Sequence, residues 1–282
     1  MIYEISNNIY TLKVDSLGAE LISASYKKEE YLHQKEKVFW NRSSPVLFPI
    51  VGKLKNNNYK YNNKNYSLPI HGLARHKEFT FTKQDKNTLV FSLKEDKESL
   101  KHYPFPFSLQ ITYTLKEDSF DINYQLSSHE DILFSLGAHP AFILKAEIDE
   151  SYLEFEEKEN LDLLCLNLEN GCISKTKKDY LNSKILQLEK NIFEKDALIF
   201  ENIKSKKVSL KNSKNSKSVS VTYEGFPFIG FWAPMNADFV CLEPWCGIAD
   251  DDNTNYIFKD KKGIISLKKN DIFSRTLGIS FN

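Results

Sequence analysis

The sequence predicts an all-β protein, a large antiparallel β-sandwich with a few short helices. Apolar and polar residues alternate with period two over most of the chain, and clusters of turn-forming residues separate the runs. No stretch sustains the 3.6-residue period of a long helix. Tyr59 to Tyr61 and Tyr66 to Leu68 read as a hairpin across Asn62 to Asn65, whose asparagines tolerate positive φ. Asp96 is a candidate cap for a helix over Lys97 to His102, stopped by Pro104. Leu109, Ile111, Tyr113 and Leu115 form one face of a strand, which returns after Lys116 to Ser119 through Phe120, Ile122, Tyr124 and Leu126. Asn191 is a candidate cap for a second helix just before Asp196. A third hairpin joins Val208 and Leu210 to Val219, Val221 and Tyr223 through a solvated Lys/Asn/Ser tip, and Leu277, Ile279 and Phe281 close the chain in alternation.

The length of 282 residues fits one large β domain spanning residues 1–282, since sandwiches often reach this size undivided. Charge balances at 38 basic against 38 acidic residues, so no field draws the chain to nucleic acid or to an anionic membrane. A small neutral or weakly charged ligand suits that balance. The N-terminus lacks an apolar leader core, and runs such as Val46 to Val51 are too short to span a bilayer. Cys165, Cys172, Cys241 and Cys246 form no Cys-x-x-Cys pair, which argues against a disulfide or zinc framework. A cytoplasmic protein without a metal or organic cofactor is the expectation. Exposed strand edges leave a monomer and a homodimer equally open.

Four segments break the alternation. Trp40 to Lys53 holds an apolar run between Pro45 and Pro49, with Arg42 and Lys53 near its ends. It reads either as an edge segment with solvated charges or as part of a site. Leu68 to His76 packs His71, Arg75 and His76 around Gly72, and its histidines serve either structure or ligand. Phe134 to Phe142 runs an apolar strand into Gly137-Ala138-His139-Pro140, where His139 is a buried structural residue or a reactive one. Phe239 to Asp252 places Glu243 in an apolar strand ahead of Pro244-Trp245. A carboxyl group in such company has a raised pKa and is costly without a role, which favours a functional reading. The Asp250 to Asp252 run lacks the spacing of a calcium loop and reads as a turn. Phosphate-loop, nucleophile-elbow and His-Glu-x-x-His signatures are absent. An acid–base pair, cationic donors and the aromatics Trp40, Trp232, Trp245, Phe226 and Phe228 together suit a sugar.

Trp40-Asn41-Arg42, Leu47-Phe48-Pro49, His71-Gly72-Leu73-Ala74-Arg75, Gly137-Ala138-His139-Pro140, Asp196 to Phe200 and Glu243-Pro244-Trp245 occur in an order that resembles the aldose 1-epimerase (galactose mutarotase-like) family, in its LacX-like bacterial branch. The resemblance implies a β-supersandwich and a catalytic histidine and glutamate at His139 and Glu243. It implies sugar-positioning roles for His71 and Asp196. Lys53 stands where galactose mutarotases carry an arginine, which leaves the sugar unidentified. Arg42 and Arg75 resemble the phosphate-holding arginines of hexose-6-phosphate relatives, so the expected substrate is a hexose or a hexose phosphate. The rival readings are a glycoside hydrolase pairing Glu243 with Asp196 and a non-catalytic sugar-binding protein.

Overall fold

The structure, a computed structural model, describes residues 1–35 and 38–282. Its largest element is a 15-stranded sheet whose neighbouring strands pair antiparallel. From one edge it runs through Val46–Leu47, Leu136–Ala138, Phe239–Cys246, Phe228–Trp232, Leu198–Glu201 and Ser151–Asn167. It continues through Lys207–Asn212, Val219–Thr222, Ile272–Phe281, Phe120–Ser127, Ser108–Leu115 and Thr88–Lys94 to Thr80–Asp85. Ala141–Ile143 pairs with Phe239–Cys246, and Cys172–Gln187 pairs with Ser151–Asn167. A four-stranded sheet from residues 2 to 30 packs against this body.

The alternation read from the sequence is the reason the large sheet has a buried face. Ser108–Leu115 buries every second residue, and Leu115 pairs with Phe120 across the turn 116–119. Aromatic rings join the two sheets. Tyr31 stacks on Phe281 at 4.4 Å between centroids, and Tyr10 meets Phe120 and Phe281 at 5.9 and 5.8 Å. The Tyr10 hydroxyl also accepts the Phe281 N–H at 3.2 Å, which satisfies a polar group inside the apolar layer.

Three local expectations are refined. The hairpin of Asn58–Tyr61 and Lys64–Ser67 turns on two residues, Asn62 and Asn63, both at positive φ. The helix near residue 100 is only Ser99–His102, with Asp96 accepting the Ser99 N–H at 2.6 Å. The helix expected after Asn191 does not form. Residues 190–195 make successive turns, with Glu194 N–H bonded to Asn191 O and Asp196 N–H to Phe193 O. Those are spans of three residues, too tight to continue as an α-helix. All four cysteines are free. Among the described residues no helix is long and apolar enough to cross a membrane.

A second, smaller core gathers Leu47, Val51, Leu164, Ile173, Ile199, Phe228, Trp245 and Ile248 at the end of the sheet that carries the four unusual segments. Its centre is the Trp245 indole, slotted between two glycines. A Cβ on Gly137 would lie 2.7 Å from the ring, and one on Gly230 would lie 2.6 Å from it. Gly230→Ala is therefore expected to destabilise the fold by about 1–3 kcal/mol through overpacking. Thermal melting and tryptophan emission check this, and an unchanged midpoint with unchanged emission would contradict the slot.

Candidate active site

Strand register brings the two expected catalytic residues together. Gly137 pairs with Trp245, and Ala141 pairs with Cys241. Position 139 therefore lies opposite position 243 in the same antiparallel ladder. Between those pairs the Leu242 N–H bonds to Pro140 O at 3.1 Å, so the chain stays in register through the His-Pro break. Period two then puts Cys241, Glu243 and Trp245 on one face of their strand.

His139 Nε2 lies 3.2 Å from Glu243 Oε2, and both side chains are more than nine-tenths buried. Among the described residues neither His139 Nδ1, Glu243 Oε2 nor Trp245 Nε1 has a hydrogen-bond partner of good geometry. Buried polar atoms are normally satisfied, so this group of under-bonded atoms is unusual for an apolar sheet. The three residues line a cavity of ≈ 630 Å³ whose walls include Trp40, Lys53, His71, Arg75, Asp196 and Trp232. Trp40 stacks on the His139 ring at 4.7 Å, and Trp232 meets it edge-on at 5.9 Å.

Burial disfavours charge on both members of the pair. It holds the His139 imidazole well below its ordinary range, with help from nearby His71 and Arg75. It pushes the Glu243 carboxyl well above its own, reinforced by the negative field of Asp196. His71 is lowered to about 3 by desolvation and by Arg75. Its Nδ1 accepts the Gly52 N–H at 3.1 Å, so the neutral ring carries its proton on Nε2 as a donor. His71 sits at φ 63°, and Gly72 follows at φ 74°. A Cβ on Gly72 would lie 2.3 Å from Phe48 O, which explains why glycine follows this histidine.

The two arginines separate. Arg75 lines the cavity while donating to Ile70 O at 2.9 Å. Arg42 is not among the cavity-lining residues. Its guanidinium faces buried Glu20 at 3.4 Å and donates to Arg75 O at 3.2 Å. Glu20 also accepts the N–H groups of Ser43 and Ser44, so Arg42 balances a structural carboxylate. Lys53 reaches the wall with its stem beside Gly171, and its ammonium has no ion pair among the described residues. Phe226 and Phe228 belong to the cores and do not line the cavity.

Leu166, Leu168 and Gly171 complete a wall that sequence reading did not anticipate. They belong to the tip of the hairpin between Ser151–Asn167 and Cys172–Gln187, whose sequence matches none of the motif segments. His139, Cys241 and Glu243 set a nitrogen, a sulfur and an oxygen within 4.8 Å of one another. Zinc bond lengths require ligand separations of about 3.5 Å, and Cys241 does not line the cavity, so the trio is a poor fit to a metal as it stands.

An all-β architecture whose cavity is lined by His139, Glu243 and three tryptophans is the arrangement that the sequence resemblance implies. The family model for aldose 1-epimerase matches residues 1–278, and the chain belongs to that family. It is 31% identical to the chromosomal protein LacX of Lactococcus lactis subsp. lactis, with 99% of each chain covered. A crystal structure of a galactose mutarotase related enzyme from Lactobacillus acidophilus superposes with a TM-score of 0.94 at 31% identity, covering 100% of this chain and 97% of that one. A galactose mutarotase-like protein from Lactobacillus casei ATCC 334 superposes at 0.92 with 26% identity, covering all of both chains.

His71 is expected to remain neutral from pH 5 to 9. Its imidazole resonances should show no inflection there, while a titration midpoint near 6.5 would contradict the Gly52 contact. Because its folded pKa lies below the unfolded value, stability is lost as pH falls from about 6.5 towards 3.

Proposed function

We propose that the protein is an aldose 1-epimerase that interconverts the α and β anomers of a hexose. The observation that carries the reading is the buried 3.2 Å contact between His139 and Glu243 on the cavity floor. Anomer exchange needs one group to remove the C1 hydroxyl proton and another to protonate the ring oxygen. In this reading Glu243 is the base and His139 the acid. Burial resists charge on either group, so the empty pair holds one proton in all. The 3.2 Å separation lets that proton pass from carboxyl to imidazole once a bound sugar aligns the two groups, giving carboxylate and imidazolium. Proton removal by Glu243 and donation by His139 open the ring to the aldehyde. Rotation about C1–C2 and closure on the other face reverse both transfers, leaving the pair as it began.

His71 Nε2–H, Asp196 and Lys53 would hold ring hydroxyls so that C1 and the ring oxygen meet the pair. Trp40, Trp232 and Trp245 would supply apolar surface for the sugar's C–H face.

The engagement of Arg42 with Glu20 favours an unphosphorylated hexose, because it removes one of the two expected phosphate ligands. A hexose 6-phosphate is the second reading, supported by Lys53 and Arg75 on one cavity. Polarimetric equilibration of free and 6-phosphorylated hexoses side by side separates them. Arg75→Ala should depress only the phosphorylated substrates if the second reading holds.

Glu243→Gln should keep the fold and lose about 10²-fold or more in rate, since the amide accepts no proton. Normal turnover by this variant would remove Glu243 from the mechanism. The rate should follow a bell in pH, because activity requires one shared proton. Its acid limb lies below the ordinary imidazole range, where a second proton binds, and its alkaline limb above the ordinary carboxyl range, where the shared proton leaves. A flat profile between pH 5 and 9 together with full activity at pH 3 would contradict the shared proton.

A further inference from the structure

We propose that Asp252, outside the cavity, is a positioning residue that clasps one wall of the sugar site and sets sugar affinity. The proposal rests on the epimerase reading for its natural ligand. Its evidence is a junction of three segments distant in the chain. The Asp252 carboxylate takes the Asn170 side-chain N–H on one oxygen at 2.6 Å and the Asn167 side-chain N–H on the other at 3.0 Å. Those asparagines flank the hairpin tip that carries Leu168, and the cavity-lining residues Leu166, Leu168 and Gly171 lie within or beside the span they bracket.

Each asparagine also spends its side-chain oxygen on the tip itself. Asn167 accepts the Glu169 N–H at 3.0 Å, and Asn170 accepts the Cys172 N–H at 2.9 Å. The two amides therefore couple the shape of the turn to the carboxylate that anchors it. Backbone bonds extend the junction: Ile173 N–H to Asp250 O at 2.8 Å, and Asp252 N–H to Ile173 O at 2.9 Å. On the other side Lys55 Nζ donates to Asp252 O at 2.5 Å, and Asp250 N–H bonds to Lys53 O at 2.8 Å. Lys53 thus has its backbone fixed by the same strand end and its stem beside Gly171, where a Cβ would come within 3.2 Å.

Leu168 is 62% exposed, so apolar burial does little to hold the tip in place. Two amide bonds to a charged carboxylate are the strongest side-chain interactions at the tip, because bonds to an ionised group exceed neutral ones. Removing the carboxylate loosens the hairpin tip, against which the Lys53 stem rests, while leaving His139 and Glu243 in their own ladder. Binding suffers and the chemical step does not.

The test compares wild type, Asp252→Ala and Asp252→Asn. Mutarotation kinetics are measured with galactose and glucose, and sugar binding by fluorescence of the cavity tryptophans. For Asp252→Ala, KM and the dissociation constant are expected to rise about 10-fold with kcat within about twofold, the signature of lost binding alone. Asp252→Asn should fall between, because its amide can accept from one asparagine while presenting a donor to the other. Amide exchange at Gly171 and Cys172 should quicken in Asp252→Ala. Unchanged KM and affinity, or a loss confined to kcat, overturns the clasp. A wild type that binds sugar without interconverting anomers sinks the epimerase reading and not this one, which the fluorescence and exchange measurements then decide.

Discussion

The site depends on one cross-strand pairing inside an apolar sheet. An imidazole and a carboxylate, remote in sequence, face each other because Leu136–Ala138 and Ala141–Ile143 both pair with Phe239–Cys246 in a continuous register. A slip of one residue would turn Glu243 to the opposite face of its strand. Everything that fixes the register therefore also fixes the chemistry. The Trp245 slot between Gly137 and Gly230 and the Leu242–Pro140 bond both pin it.

Burial sets the electrostatics of that pairing. In water the two groups would exchange protons with solvent and hold opposite charges. In the buried site both charges are penalised, which lowers the imidazole and raises the carboxyl. Trp40 and Trp232 exclude solvent from the imidazole on two sides, and the field of Asp196 opposes early ionisation of Glu243. The surrounding wall combines polar side chains, among them Lys53, His71 and Asp196, with the tryptophan rings. His71 presents a donor because its other nitrogen is already engaged, and Arg42 faces buried Glu20 and does not line the cavity.

Supporting residues arrive from segments that carry no chemistry of their own. Glu20, from the small N-terminal sheet, gathers Arg42, Ser43 and Ser44 beneath the start of the Trp40 segment. The long hairpin ending at Asn167 to Cys172 brings a wall to the cavity from far along the chain, and the turn at Asp250 to Asp252 ties it to Lys53 and Lys55. The acidic run read from the sequence as a simple turn is thus a turn with a structural duty.

Local order was legible in the sequence because it follows from short-range physics. Period-two alternation is a property of neighbouring side chains, and so were the hairpin at residues 108–127 and the asparagine-rich turn read at 62–65, which closes on 62–63. Glu243 stood out because a carboxyl group inside an apolar strand is costly without a compensating role, and His139 because small residues and proline surround it. The helix expected after Asn191 failed for a local reason, since a cap without a following amphipathic turn has nothing to propagate. What the sequence could not decide was juxtaposition. The opposition of His139 and Glu243, the diversion of Arg42 to Glu20, and the approach of the Leu168 tip all depend on strand register and sheet order. Those are set by the packing of side chains distant in the chain, which no local pattern encodes.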